Sequence, residues 1–138
     1  MYILLFVGIL SAHLHAQPVR VAAAANLRYV LDDIRSLYEG NHPATRIEVT
    51  LGASGGLLTQ ILNGAQFDFF MAADKSFPEK LKDQGAAEGL VKTYAFGQLA
   101  LWSNVVDVTK GIHIVTDASV VHIAVAKPDI APYGERAI

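Results

Sequence analysis

The stretch RIEVTLGASGGLL, residues 46–58, decides how this chain is built. Arg46 to Gly52 alternates apolar and polar side chains, as a half-buried strand does. From Ser54 the period changes, and Leu57, Leu58, Ile61 and Leu62 fall on one face of a helix ending at Asn63-Gly64. A strand that passes at once into a helix is the unit of a parallel α/β sheet. The same unit lies on either side. Upstream, Val19-Arg20-Val21 and the alanines after it read as a buried strand of small side chains. Asn26 follows, then Leu27, Val30, Leu31, Ile34, Leu37 and Tyr38 recur at helical spacing, with Gly40 as the stop. Downstream, FDFFMAA, Phe67 to Ala73, reads as a third strand and FPEKLKDQG as a short helix opened by Pro78. The order β-α-β-α-β-α implies a parallel sheet with right-handed crossovers.

The pattern changes near Tyr94. YAFGQLALWSN, Tyr94 to Asn104, reads as a long apolar strand crossing between two halves. A polar connection, VVDVTKGIHIVTDAS, leads to a further strand in VHIAVAKPD, and APYGERAI reads as a turn running into a helix. The chain stops at that first helical turn, so the expectation is the front part of a longer protein.

Composition narrows the function. At 138 residues and 52% hydrophobic, the chain can bury an ordinary core. A net charge of −2 and the lack of any Lys/Arg run argue against nucleic-acid binding. There are no cysteines, which excludes disulfides, thiolate metal sites and cysteine nucleophiles. The opening MYILLFVGILSAHLHA carries no charged side chain, and its apolar run, Tyr2 to Leu10, is too short to span a bilayer, which takes about 20 residues. With Ala16 before a cleavage point, residues 1–16 read as a secretory signal peptide, leaving Gln17 as the mature start. No cysteine follows to carry a lipid, so the expectation is export as a soluble, unanchored protein.

Asn26 and Ser54 each stand where a strand ends and a helix begins. In a parallel sheet those junctions share the carboxyl edge, where open α/β sheets bind ligands. Both residue types also favour helix N-caps, so capping and ligand binding both stay open. Helix N-termini present about half a positive charge, which suits a small anion. Gly52 to Gly56 also fits G-x-S-x-G, the turn that presents a hydrolase nucleophile. His113, His122, Asp117 and Asp129 are available as partners, but His122 begins a strand and no oxyanion-loop motif such as H-G-G-G occurs. No histidine spacing indicates a metal site. Arg28, one turn into the first helix, is read as a surface pair or a gate to the cleft. Asp68 and Asp74 are read as structural, flanking the third strand.

Three segments in order, VAAAANLRYVLDDI, LGASGGLLTQILNGAQFDFFMAAD and IAVAKPDIAPYGERA, resemble the periplasmic molybdate-binding proteins of ABC transporters. The resemblance runs from about Val19 to Ile138 and covers the first half to two-thirds of that family's length. It implies an α/β, two-lobed periplasmic-binding-protein fold of type II with parallel-type sheets, its second lobe incomplete here. Residues 17–95 would form the first lobe, and residues 96–138 the crossover strand and the start of the second. The implied function is capture of molybdate or tungstate for an ABC importer. The resemblance implies a monomeric binding protein and not an enzyme, with no cofactor and a membrane permease as partner. Carried over by position, Asn26 and Ser54 would donate side-chain and backbone hydrogen bonds to the oxyanion. Tyr133 would offer a backbone N–H from the opposite lobe, and Ala25 a further contact. Molybdenum would be bound only as the oxyanion, through Asn26, Ser54 and Tyr133. The alternatives are another tetrahedral oxyanion such as sulfate, or a serine hydrolase.

Overall fold

The computed structural model describes residues 17–138, so the signal-peptide reading of residues 1–16 lies outside it. Three strands form one sheet: β1 Val19–Ala24, β2 Ile47–Gly52 and β3 Phe69–Met71. The order is β2-β1-β3 and both pairings are parallel, as the alternating strand and helix signals required. β1 is central, and Val21 to Ala24 are all buried. A central strand covered on both faces has no polar face, which accounts for its unbroken apolar run. Its alanines let the helices approach closely. Val21, Ala23 and Leu31 form the core cluster, with Val49, Leu51 and Met71 packed against it.

The helices are α1 Arg28–Asn41, α2 Ser54–Leu62 and α3 Ser76–Asp83. Two end as their glycines dictate. Gly64 has φ 95°, donates to Ile61 O, and lets Ala65 N–H reach Gln60 O at 3.0 Å. Gly85 repeats the device after α3 with φ 69°. In both, the left-handed glycine turns the chain so that the last carbonyls are satisfied. Gly52 has a different reason. A Cβ there would lie 3.2 Å from Leu57 Cδ2, and Leu57, buried beneath α2, takes that space.

Several boundaries differ from the sequence reading. Asn26 does not cap α1; it lies in a 3-10 turn, Ala25–Leu27, that precedes the helix. Gly40 does not stop α1, which runs on to Asn41. The stop is Pro43: the residue before a proline is pushed out of the α region, and His42 has φ −132° and ψ 71°. His42 then stacks on Tyr38, with ring centroids 4.2 Å apart. Likewise α3 begins at Ser76, placing Pro78 within the first turn, where its missing N–H costs nothing. β3 is shorter than Phe67 to Ala73 because Asp68 Oδ2 takes the Arg20 N–H at 2.7 Å, while Asp68 N–H donates to Arg20 O. The side chain thereby substitutes for the next backbone rung.

The apolar segment 94–104 is not a strand, and neither is 121–129. A strand exists only through a ladder partner, and neither segment has one among the described residues. Phe96 is 94% and Trp102 78% exposed, so composition alone did not order them. The connection between them carries two 3-10 turns, Val108–Lys110 and Ile112–Thr116. The last element, α4 Pro132–Glu135, is the helical turn expected from APYGERAI.

Candidate functional site

The strand register places the site. Ala24 pairs with Gly52, so Asn26 and Ser54 each stand two residues beyond a paired position on adjacent strands. Ala23 pairs with Met71, which brings Ala72 to Asp74 to the same carboxyl edge. The chain leaves β1 for β2 on one side and returns to β3 on the other. The carboxyl edge at such a reversal is where open α/β sheets hold ligands.

Ser54 is the only buried polar residue among those described, 1% exposed. It is not a cap: Ala53 is the N-cap, and no side chain caps α2. Instead Ser54 Oγ accepts the Ala73 N–H at 3.0 Å. Strands β2 and β3 are not neighbours, and two strand spacings amount to about 9–10 Å. A bond of that length therefore requires the turn after β2 to carry Ser54 across the end of β1. The hydroxyl oxygen is occupied as an acceptor, which leaves its hydrogen to donate.

Asn26 reaches the far end of the chain. Its Nδ2 donates to Tyr133 Oη at 3.5 Å, a long bond to a partner on α4. Tyr133 lies over Gly97, where any Cβ would collide with the phenol oxygen. Gly134 is buried against the Ala126 carbonyl, which fixes the turn from behind. Just before α4, Ile130 O accepts the Gly55 N–H at 3.2 Å. The open N-terminus of α2 thus meets a carbonyl oxygen, the kind of partner its dipole favours. Ala25 is exposed at the start of the 3-10 turn.

Tyr94 closes the other side, donating from Oη to Ala72 O at 2.8 Å. Burial pushes its phenol pKa up, and the neighbouring Tyr133 adds to the shift. Asp74 accepts from Ser76 N–H at 2.9 Å and from Arg136 Nη2 at 2.7 Å. Those Ser76 bonds, backbone first and hydroxyl second, hold its carboxyl below the usual range against a smaller opposing effect of burial; Arg136 lowers it further. Arg28 starts α1, is exposed, and makes no ion pair among the described residues. Asn26, Phe70, Tyr94, Tyr133 and Arg136 border an open cavity of about 1130 Å³. At about 30 Å³ per water that space holds several tens of waters, far more than one small anion displaces. A small anion would therefore fill only a small part of it.

The structure brings Asn26 and Tyr133 together and sets Ser54 on the same edge. Sequence reasoning missed Ala73, Gly97, Tyr94 and Arg136. Tyr94 carried a usable signal, since a phenol within an apolar run pairs its hydroxyl where it is partly covered, as it does here with Ala72 O. The others act through backbone or through a distant partner and left no local mark. A hydrolase would need a base on Ser54. Among the described residues no imidazole or carboxylate hydrogen-bonds to it, and its oxygen is already engaged by a backbone N–H.

A parallel sheet with an open cavity at its switch point, bordered by the polar side chains of Asn26, Tyr94 and Tyr133 and by the Asp74–Arg136 pair, has the architecture of an α/β ligand-binding protein. The family model of bacterial extracellular solute-binding proteins matches residues 19–138, and the chain belongs to that family. It is 38% identical to the molybdate-binding protein ModA of Azotobacter vinelandii, over 95% of this chain and 52% of that protein. It is 40% identical to the molybdate-binding protein ModA of Rhodobacter capsulatus, over 89% of this chain and 49% of that one. The solved structure of the Azotobacter vinelandii periplasmic molybdate-binding protein superposes with a TM-score of 0.73 at 34% identity, covering 86% of this chain and 52% of the other. The chain spans about half the length of the curated relatives it matches.

Proposed function

We propose that the protein is the receptor of an ABC importer and captures molybdate or tungstate at the carboxyl edge of its sheet. Ser54, Asn26, the Tyr133 backbone N–H and Ala25 are the donors, and molybdenum is held only as its oxyanion. In this reading residues 17–95 form a first lobe, residues 96–138 begin a second, and the anion lies between them. Export through residues 1–16 delivers a soluble, unanchored monomer to the periplasm, where it hands its cargo to a membrane permease. The ligand is cargo and the protein is not an enzyme.

The observation that supports this reading is the placement of neutral polar side chains on one sheet edge: Asn26 bonded to the Tyr133 hydroxyl at 3.5 Å, and Ser54 drawn across β1 with its oxygen accepting from the Ala73 N–H. Molybdate and tungstate are unprotonated dianions at neutral pH, so all four oxygens accept. Hydrogen phosphate carries a proton that would need an acceptor, and such a site leaves it unpaired. If each charge-assisted bond nets about 1.5–3 kcal/mol, a handful outweighs the cost of association and reaches nanomolar affinity, about −12 kcal/mol. Sulfate is equally unprotonated, so its rejection must come from cavity size.

Titration calorimetry on the complete mature protein with molybdate, tungstate, sulfate and phosphate tests the reading. Tight binding of molybdate and tungstate alone supports it. Equal binding of sulfate changes the ligand and keeps the class. No oxyanion binding overturns it.

A further inference from the structure

Three contacts tie the segment 126–136 to the carboxyl edge of the sheet. Gly55 N–H meets Ile130 O at 3.2 Å, Asn26 meets Tyr133 at 3.5 Å, and Arg136 Nη2 meets Asp74 Oδ2 at 2.7 Å. The first is next to Ser54 in the chain, and the second joins two residues assigned to the anion. The third stands apart from them, is the shortest, and is the only one between full charges. Asp74 is well prepared for it. Its other oxygen is fixed by the Ser76 N–H, and its side chain is only 19% exposed, whereas Arg136 is 68% exposed and free to swing away. Arg136 follows Tyr133 by three residues, one helical turn, so anchoring the guanidinium fixes where Tyr133 lies.

We propose that Arg136 and Asp74 form a clasp that holds Tyr133 over Asn26 and sets how long the bound oxyanion is retained, without either residue touching it. This rests on the oxyanion reading above. Both are positioning residues: the ion pair forms when segment 126–136 lies on the sheet edge and breaks when it lifts. Capture requires the open arrangement, so the clasp acts on release and leaves the association rate alone.

The test measures molybdate association and release by stopped flow in the complete mature protein and in D74N, R136M and the double variant. Asn at 74 keeps an oxygen for the Ser76 N–H, and Met at 136 keeps most of the aliphatic stem, so folding is preserved; melting temperatures confirm it. A partly exposed ion pair predicts release about two- to fivefold faster in each single variant, with association within twofold. The double variant releases no faster than either single one. Raising the ionic strength speeds release from the natural protein and barely affects the variants. Unchanged release with normal molybdate binding overturns the clasp alone, as do single effects that simply multiply or release rates that follow melting temperature. A natural protein that binds neither molybdate nor any other tetrahedral oxyanion overturns the oxyanion reading and the clasp's role with it.

Discussion

Ser54 Oγ and Ala73 N–H, 3.0 Å apart, join the start of α2 to the end of β3 across the intervening strand β1. This bond lies on the carboxyl edge of the sheet. It draws two loops that are not adjacent in the sheet into one edge, and it commits the serine oxygen to accepting.

Replacing Ser54 with Ala leaves the half-buried Ala73 N–H without its partner. An unsatisfied buried donor costs about 1–3 kcal/mol, so urea unfolding of S54A should show a loss in that range with an unchanged slope. Molybdate affinity should fall in the same variant, because the donated hydroxyl hydrogen is gone. A variant as stable as the natural protein would mean that the bond carries no weight.

Two glycines predict opposite outcomes for the same substitution. Gly40 lies inside α1 with nothing within 4 Å of an added Cβ, so G40A should stabilise the fold by about 0.5–1 kcal/mol. Gly97 is overlaid by the Tyr133 ring, and G97A must displace it. Overpacking costs about 1–3 kcal/mol, and the shift of Tyr133 off Asn26 should weaken molybdate binding. Melting curves and calorimetry on both variants check the pair; equal behaviour would contradict the packing described.

Asp74 makes stability depend on acid in a defined window. Its carboxyl is held below the usual value, first by the Ser76 backbone N–H, then by the Ser76 hydroxyl, with Arg136 adding to the effect. A depressed folded pKa contributes stability that is present above the unfolded value, about 3.9 for Asp, and is lost as pH falls through the folded value. The stability gap between the natural protein and D74N should therefore stay constant from pH 7 to about pH 5. It should narrow below about pH 4. A gap that changes between pH 7 and pH 5 would assign the titration to another group.

The sheet was readable because its signals are local. The change of period at Ser54, the apolar run of Val21 to Ala24 and the turn at Asn63-Gly64 each depend on neighbours a few residues away. The misreadings had long-range causes. Tyr94 to Asn104 has the composition of a strand, but a strand needs a partner along its edge, which no run of side chains supplies for itself. Asn26 and Ser54 have the composition of caps, yet one lies in a 3-10 turn and the other bonds across the sheet.

The sequence by itself therefore determined the α/β class, the parallel strands and the edge on which a ligand site would lie. Hydrophobic period and turn chemistry act over single turns and single strands, and those features follow from them. Only the tertiary structure decided which groups meet on that edge: Ser54 with Ala73, Asp74 with Arg136 and Asn26 with Tyr133, at separations of 19, 62 and 107 residues. Each pairing arises where crossovers and the returning chain bring distant loops together. Their geometry belongs to the sheet order β2-β1-β3, which no local pattern encodes.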